Sequence, residues 1–174
     1  MEQIANIITL GLLLGGTYAL VSVGLTLIFG VIRIINFAQG EFLMLGMYGA
    51  YVCYVTLGLD PYIGVFLVVP VLTLFGMAVY ALVMRPLQNE PIMQVFASFG
   101  LLLLLQNGML ALTKGLTYSV NTPISQHVMS LGPVQISASR LIVLGASVVV
   151  ALMLGAFLTR TTFGQAIRAV AQDR

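Results

Sequence analysis

Residues 91–113 read PIMQVFASFGLLLLLQNGMLALT and contain no charged side chain. As a helix rising 1.5 Å per residue this stretch is about 35 Å long, enough to cross a hydrocarbon core of roughly 30 Å. The unbroken run Leu101 to Leu105 cannot be a strand of a membrane barrel, whose residues alternate between apolar and polar faces. The stretch reads as a transmembrane helix.

The rest of the chain extends that reading. Of 174 residues, 60% are hydrophobic and 7% are charged. A soluble domain has too few polar side chains at this composition to cover its surface, which excludes a water-soluble globular protein, a disordered chain, a coiled coil and a collagen. The few charges leave free runs at 3–32, 42–59, 61–84, 91–113, 115–139 and 141–159. Five are strongly apolar. The sixth, 115–139, carries Asn121, Pro123, His127, Pro133 and several serines, and is expected to be a long polar loop. The expected fold is therefore an all-α polytopic membrane protein of about five spans, near 5–30, 37–57, 62–84, 91–113 and 141–159. The first apolar run is too long for the core of a signal peptide and is expected to stay in the mature protein.

The first span is long for one crossing. It is either a tilted helix or one broken at Gly15-Gly16, and Gly11-x-x-x-Gly15 offers a face for close helix packing. Asn36 with Gln39 three residues on has capping-box spacing, so a new helix is expected from Phe37, after a possible broken or re-entrant segment near 30–41. Gly58-Leu59-Asp60-Pro61 reads as a tight turn, Pro70 predicts a kink, and Pro91 suits a first helical position. Residues 1–160 form the membrane part, and 161–174 differ. There Thr162 and Gln165 again have capping-box spacing, while Phe163, Ala166, Ile167 and Val170 fall on one apolar face with Arg168 and Gln172 on another. A short amphipathic helix is expected, lying on the membrane surface or against a partner.

Arg33, Arg85, Arg160, Arg168 and Arg174 fall on the side of the C-terminus, against Lys114 and Arg140 opposite. By the positive-inside rule the C-terminus is expected in the cytoplasm and the N-terminus outside. The net charge of +2 is scattered, with no basic stripe for nucleic acid. One histidine, one cysteine, and no nucleophile elbow or phosphate loop point away from catalysis, a metal site or a bound cofactor. Cys53 reads as a small buried hydrophobe and His127 as a polar loop residue. Asn36, Gln39 and Glu41 are the substrate-path candidates, because an ionisable group at a membrane-embedded helix start often marks a pathway. The same residues would equally serve as an interfacial cap. Gln94, Ser98, Gln106 and Asn107 are expected to make hydrogen bonds between helices, and Tyr48, Tyr51 and Tyr54 to pack or anchor the second span.

These motifs carry a resemblance. NFAQGEF at 36–42 followed by Met44-Leu45-Gly46, Phe99-Gly100-Leu101 with Gln106-Asn107, and TTFGQAIRAVAQD at 161–173 resemble the permeases of branched-chain amino acid ABC transporters, from about Gly11 to the last residue. The resemblance implies an inner-membrane subunit working with a second permease subunit, two cytoplasmic ATPase subunits and a periplasmic substrate-binding protein. It implies ATPase-coupling roles for Gly164, Arg168, Gln172 and Asp173. Related permeases for urea or short amides share the Asn-x-Ala-x-Gly-Glu pattern, and a truncated, non-transporting membrane scaffold is the alternative of another class. Members commonly carry His where this chain has Gln39, which cannot titrate. They also continue beyond the coupling segment, so the chain is expected to match the N-terminal part of a permease.

Overall fold

The computed structural model describes residues 2–32, 36–120, 122, 128–131 and 134–172. The elements are α1 (Glu2–Ile32), α2 (Gln39–Leu57), α3 (Pro61–Val79), α4 (Pro91–Thr113), β1 (Val128–Leu131), β2 (Val134–Ser137), α5 (Ala138–Arg160) and α6 (Thr162–Gln172). They form two compact units, one from Met1–Arg33 with Asn121–Arg174, the other from Ile34–Val120. Among the described residues four helical stretches are long and apolar enough to cross a membrane: Asn6–Gly30, Pro61–Leu87, Pro91–Thr113 and Ala138–Arg160. The second of the five expected spans is present as α2, about 28 Å long. It is not among those four, because Gln39, Glu41, three tyrosines and Thr56 make it less apolar.

Burial runs opposite to a soluble domain. Phe66 is 82% exposed and Leu112 79%, whereas Gln94, Ser98, Thr113, Thr122 and Ser147 are buried. Apolar side chains face outward where lipid is the solvent, and polar groups turn inward or back onto the helix. Thr26, Thr56, Thr73, Thr113, Ser147 and Thr159 each bond a carbonyl four residues earlier in their own helix, at 2.7–2.8 Å. That local bond satisfies a hydroxyl where water is absent.

In the first unit α1 is continuous through Gly15-Gly16, so it is an unbroken helix of about 46 Å. It packs along α5, with Leu13 buried against Leu141 and Leu144. The close approach is at Gly16, where an added Cβ would overlap the Leu144 side chain. Gly11 and Gly15, the expected packing pair, have nothing near them. The stretch expected to be only a polar loop contains a hairpin, with β1 antiparallel to β2 and Leu131 opposite Val134. Its β-branched Val128, Val134 and Ile136 favour strands, and Gly132-Pro133 lies between them in the sequence. The fifth span starts three residues earlier than expected, at Ala138, directly after β2.

In the second unit α2 ends at Gly58, whose left-handed backbone (φ 64°) closes the helix, and Asp60 caps α3 by accepting from the Tyr62 amide at 3.1 Å. Pro61 occupies the first helical position. Helix α3 stays α-helical across Pro70 and changes form later. At Tyr80–Met84 it widens to a π-helical turn, with the Arg85 amide donating to the Tyr80 carbonyl, then tightens to a 3₁₀ turn at Arg85–Leu87. The cause is Pro86. Its ring would meet the Leu82 carbonyl in a continuing α-helix, and it has no amide to donate. The Gln88 amide is drawn to Arg85, and the Met84 carbonyl takes the buried Gln94 side chain of α4 instead, at 3.3 Å.

Helix α6 was expected to be capped by Thr162; Thr161 does it. Its hydroxyl accepts from the Gly164 amide at 3.0 Å and donates to the Phe157 carbonyl at 2.6 Å. The elbow between α5 and α6 closes so tightly that a Cβ on Gly164 would overlap the Phe157 carbonyl and stand 2.5 Å from the Leu158 Cα. These are backbone atoms, which cannot move aside as a side-chain tip can. We therefore expect Gly164→Val to cost roughly 1–3 kcal/mol through overpacking, read as a lower thermal midpoint in detergent. Gly11→Ala, facing open space, should stay within about 0.5 kcal/mol of the native chain.

Candidate functional site

The Asn36–Glu41 segment leads into α2 and is held against α4. The Ser98 hydroxyl, fully buried, accepts from the Phe37 amide at 3.2 Å and donates to the Val95 carbonyl at 2.8 Å. The Phe37 ring meets Phe99 edge to face at 6.5 Å, and Ala38 is fully buried. The capping box expected for Asn36 and Gln39 does not form. The Asn36 carboxamide oxygen accepts from the Ala38 amide two residues on, at 3.0 Å, an Asx turn that delays the helix to Gln39. No side chain caps α2, whose N-cap residue is Ala38. Glu41 sits in its first turn, where the helix dipole favours a carboxylate. Asn36, Gln39 and Glu41 are thus gathered on one turn, each partly exposed.

One face of the same unit holds a cavity of about 660 Å³ between α2, the later part of α4 and the segment Gly115–Val120. Tyr48 and Tyr51, one helical turn apart, meet Tyr118 with ring centroids 6.3 and 4.7 Å away. Tyr118 reaches them because α4 ends on two successive left-handed residues, Lys114 (φ 53°) and Gly115 (φ 71°). The amide of Gly115 donates back to the Leu110 carbonyl at 3.2 Å, and the chain then reverses over α2. Glycine reaches this backbone conformation without penalty. Gln106 and Asn107 also line the cavity, and none of its lining side chains is charged. The substrate-path candidates are not among the lining residues, which begin at Met44.

The sequence singled out Tyr48 and Tyr51 but not Tyr118, whose stretch has no periodicity to place it. The only signal was Lys114-Gly115, a helix-ending pair that marks a turn without saying where the chain goes. Gln94 and Ser98 make the inter-element bonds expected of them; Asn107 bonds its own helix, its amide donating to the Leu103 carbonyl at 2.7 Å. Tyr54 does not line the cavity, and Cys53 is buried and unpaired. Among the described residues no group of His, Cys, Asp and Glu is placed to hold a metal ion.

The coupling candidates sit on or beyond α6. Gly164 is buried at the elbow. Arg168 and Gln172 belong to the helix, but their side chains, with that of Val170, lie outside the described residues, as do Arg33, Asn121, His127, Asp173 and Arg174. Helix α6 is the strongly two-faced helix that the tail predicts, packed against α5 and α1. Phe163, on the expected apolar face, is 76% exposed, leaving a large apolar ring open on the first turn.

Comparison with known proteins gives a consistent match. Over 99% of its length the chain is 28% identical to the high-affinity branched-chain amino acid transport system permease protein BraD of Pseudomonas aeruginosa. Over 66% of its length it is 30% identical to the permease protein LivH of Salmonella typhimurium, and over the same share 29% identical to LivH of Escherichia coli. The matched regions span 59% of BraD and 39% of each LivH. No solved structure matches the chain. The family described as "Branched-chain amino acid transport system / permease component" matches residues 7–174, nearly the whole sequence. The chain belongs to the branched-chain amino acid transport permease family.

Proposed function

We propose that the chain is a membrane-spanning permease subunit of an ATP-binding-cassette importer, carrying branched-chain or similar amino acids across the bacterial inner membrane. The observation that supports this best is the family match over residues 7–174, which takes in the strongly amphipathic helix α6. The four apolar stretches and α2 act as five spans, with residues 1–160 as the membrane part and 161–174 as the start of the coupling segment. The distribution of arginines puts the N-terminus outside and α6 in the cytoplasm.

On this reading α6 is the lever. It is joined to α5 by an elbow with no spare room at Gly164, so force on α6 passes to the membrane helix rather than being absorbed in a loose linker. The exposed Phe163 and the polar face with Arg168, Gln172 and Asp173 meet an ATPase subunit. Hydrolysis takes place on two such subunits, a second permease completes the pore, and a periplasmic binding protein delivers the substrate. The permease contributes two arrangements of packed helices whose balance the ATPases set. Asn36, Gln39 and Glu41 line the path at the turn that Ser98 holds in place.

Reversing the charge in Arg168→Glu should weaken co-purification of the ATPase and reduce uptake, without lowering the amount of chain in the membrane. Unchanged assembly and uptake would remove the coupling role. For the path, Glu41→Ala should lower uptake several-fold more than it lowers membrane abundance. Equal losses would make the turn an interfacial cap.

A further inference from the structure

Two departures from regular helix in the second unit are held by the same face of α4. Gln94 and Ser98 stand one turn apart on that helix, about 6 Å along its axis, and both are buried. Gln94 donates to the Met84 carbonyl at 3.3 Å, where α3 widens and breaks. Ser98 accepts from the Phe37 amide at 3.2 Å, where the chain turns into α2. A third contact closes the circuit. Phe42, near the start of α2, meets Phe75 of α3 with ring centroids 5.6 Å apart, and Phe75 lies before the break. The turn is thus tied through Phe42 to α3 on one side of the break and through Phe37 to α4 on the other. Residues 38–41, with Gln39 and Glu41 among them, are the chain between those two ties. Any change at the break moves the two ties against each other, and this short segment must take up the difference.

The break has a second form within reach. In its π turn the Arg85 amide donates to the Tyr80 carbonyl; passing to the Ala81 carbonyl would make the turn α and take the extra residue out of it. Two side chains hold the observed form. One is Gln94 on the Met84 carbonyl, and the other is Gln88, whose amide donates to the Tyr80 hydroxyl at 2.7 Å across the widened turn. We propose, building on the permease reading, that the α3 break switches between these two forms and that Gln94 and Ser98 are positioning residues through which the Asn36–Glu41 turn follows it. In transport this gives the path a gate worked from the connection between α3 and α4, in addition to the lever at α6.

The test uses the full chain with Cys53→Ala, reconstituted in liposomes, and Gly40→Cys as the reporter on the turn, an exposed position with open space around it. The rate of labelling by a water-soluble maleimide is read. Gln94→Met has a similar length without the donor, and Pro86→Ala restores an amide at an exposed position of the break. Each should change the rate at position 40 by about threefold or more, the weight of one hydrogen bond. Labelling of Leu57→Cys, at the far end of α2, should not respond. In a Ser98→Ala background neither change should have a further effect, because the turn then follows α3 alone. A rate at position 40 that ignores both variants, a response at position 57 as large as at position 40, or effects of Ser98→Ala and Gln94→Met that simply add overturns the proposal. ATPase co-purification on the same preparation keeps the two readings apart. Retained ATPase without these responses sinks the switch alone, and the responses without ATPase leave the switch standing while the importer reading fails.

Discussion

Within hydrocarbon a polar group can find a hydrogen-bond partner only in the protein itself, and this chain is organised around that constraint. Hydroxyls along the helices bond backward to their own carbonyls. Where Pro86 leaves the Met84 carbonyl spare, a buried Gln94 reaches across to take it. Where the chain enters α2, Ser98 takes the Phe37 amide. The last two tie one element to another, and the outer surface carries many Leu, Val, Ile and Phe side chains. Several polar residues that a soluble protein would show on its surface, Gln94, Ser98 and Ser147 among them, are buried here.

The same constraint gives the functional features their positions. The Asn36–Glu41 turn is polar and sits beside α4, where Ser98 and the Phe37–Phe99 contact hold it together with its own Asx turn. The cavity beside α2 keeps polar groups without charge, which hydrocarbon surroundings tolerate far better than an unpaired ion. Helix α6 follows a different rule. It has two faces where the long helices are apolar all round, which suits a boundary or a protein partner rather than lipid on every side.

Much of this was legible in the sequence, because composition and period are direct records of what each segment faces. The charge-free run 91–113 marks α4 to the residue, and the spacing of Phe163, Ala166, Ile167 and Val170 marks α6. Asp60-Pro61 shows the start of α3 for the same reason, a local cap written in adjacent residues. What the sequence did not show depends on partners distant along the chain. The Asn36–Gln39 spacing promised a capping box, but Ser98, about sixty positions later, claims the approach to the helix and Asn36 turns to Ala38. By spacing Thr162 pairs with Gln165, yet it is Thr161 whose hydroxyl takes the Gly164 amide at the tight elbow. The β1–β2 hairpin is masked by the serines around it, and Tyr118 joins the cavity through a reversal whose direction no local pattern encodes.

The account turns on α6 as the point where an ATPase moves the membrane helices, and its most direct test is a cross-link. Phe163→Cys, on the exposed first turn, would be oxidised against cysteines placed on the surface of the ATPase subunit in inverted membrane vesicles. The account expects a specific cross-link whose yield changes when ATP is bound. An importer that keeps its uptake while Phe163→Cys never cross-links to the ATPase, with or without ATP, would contradict it.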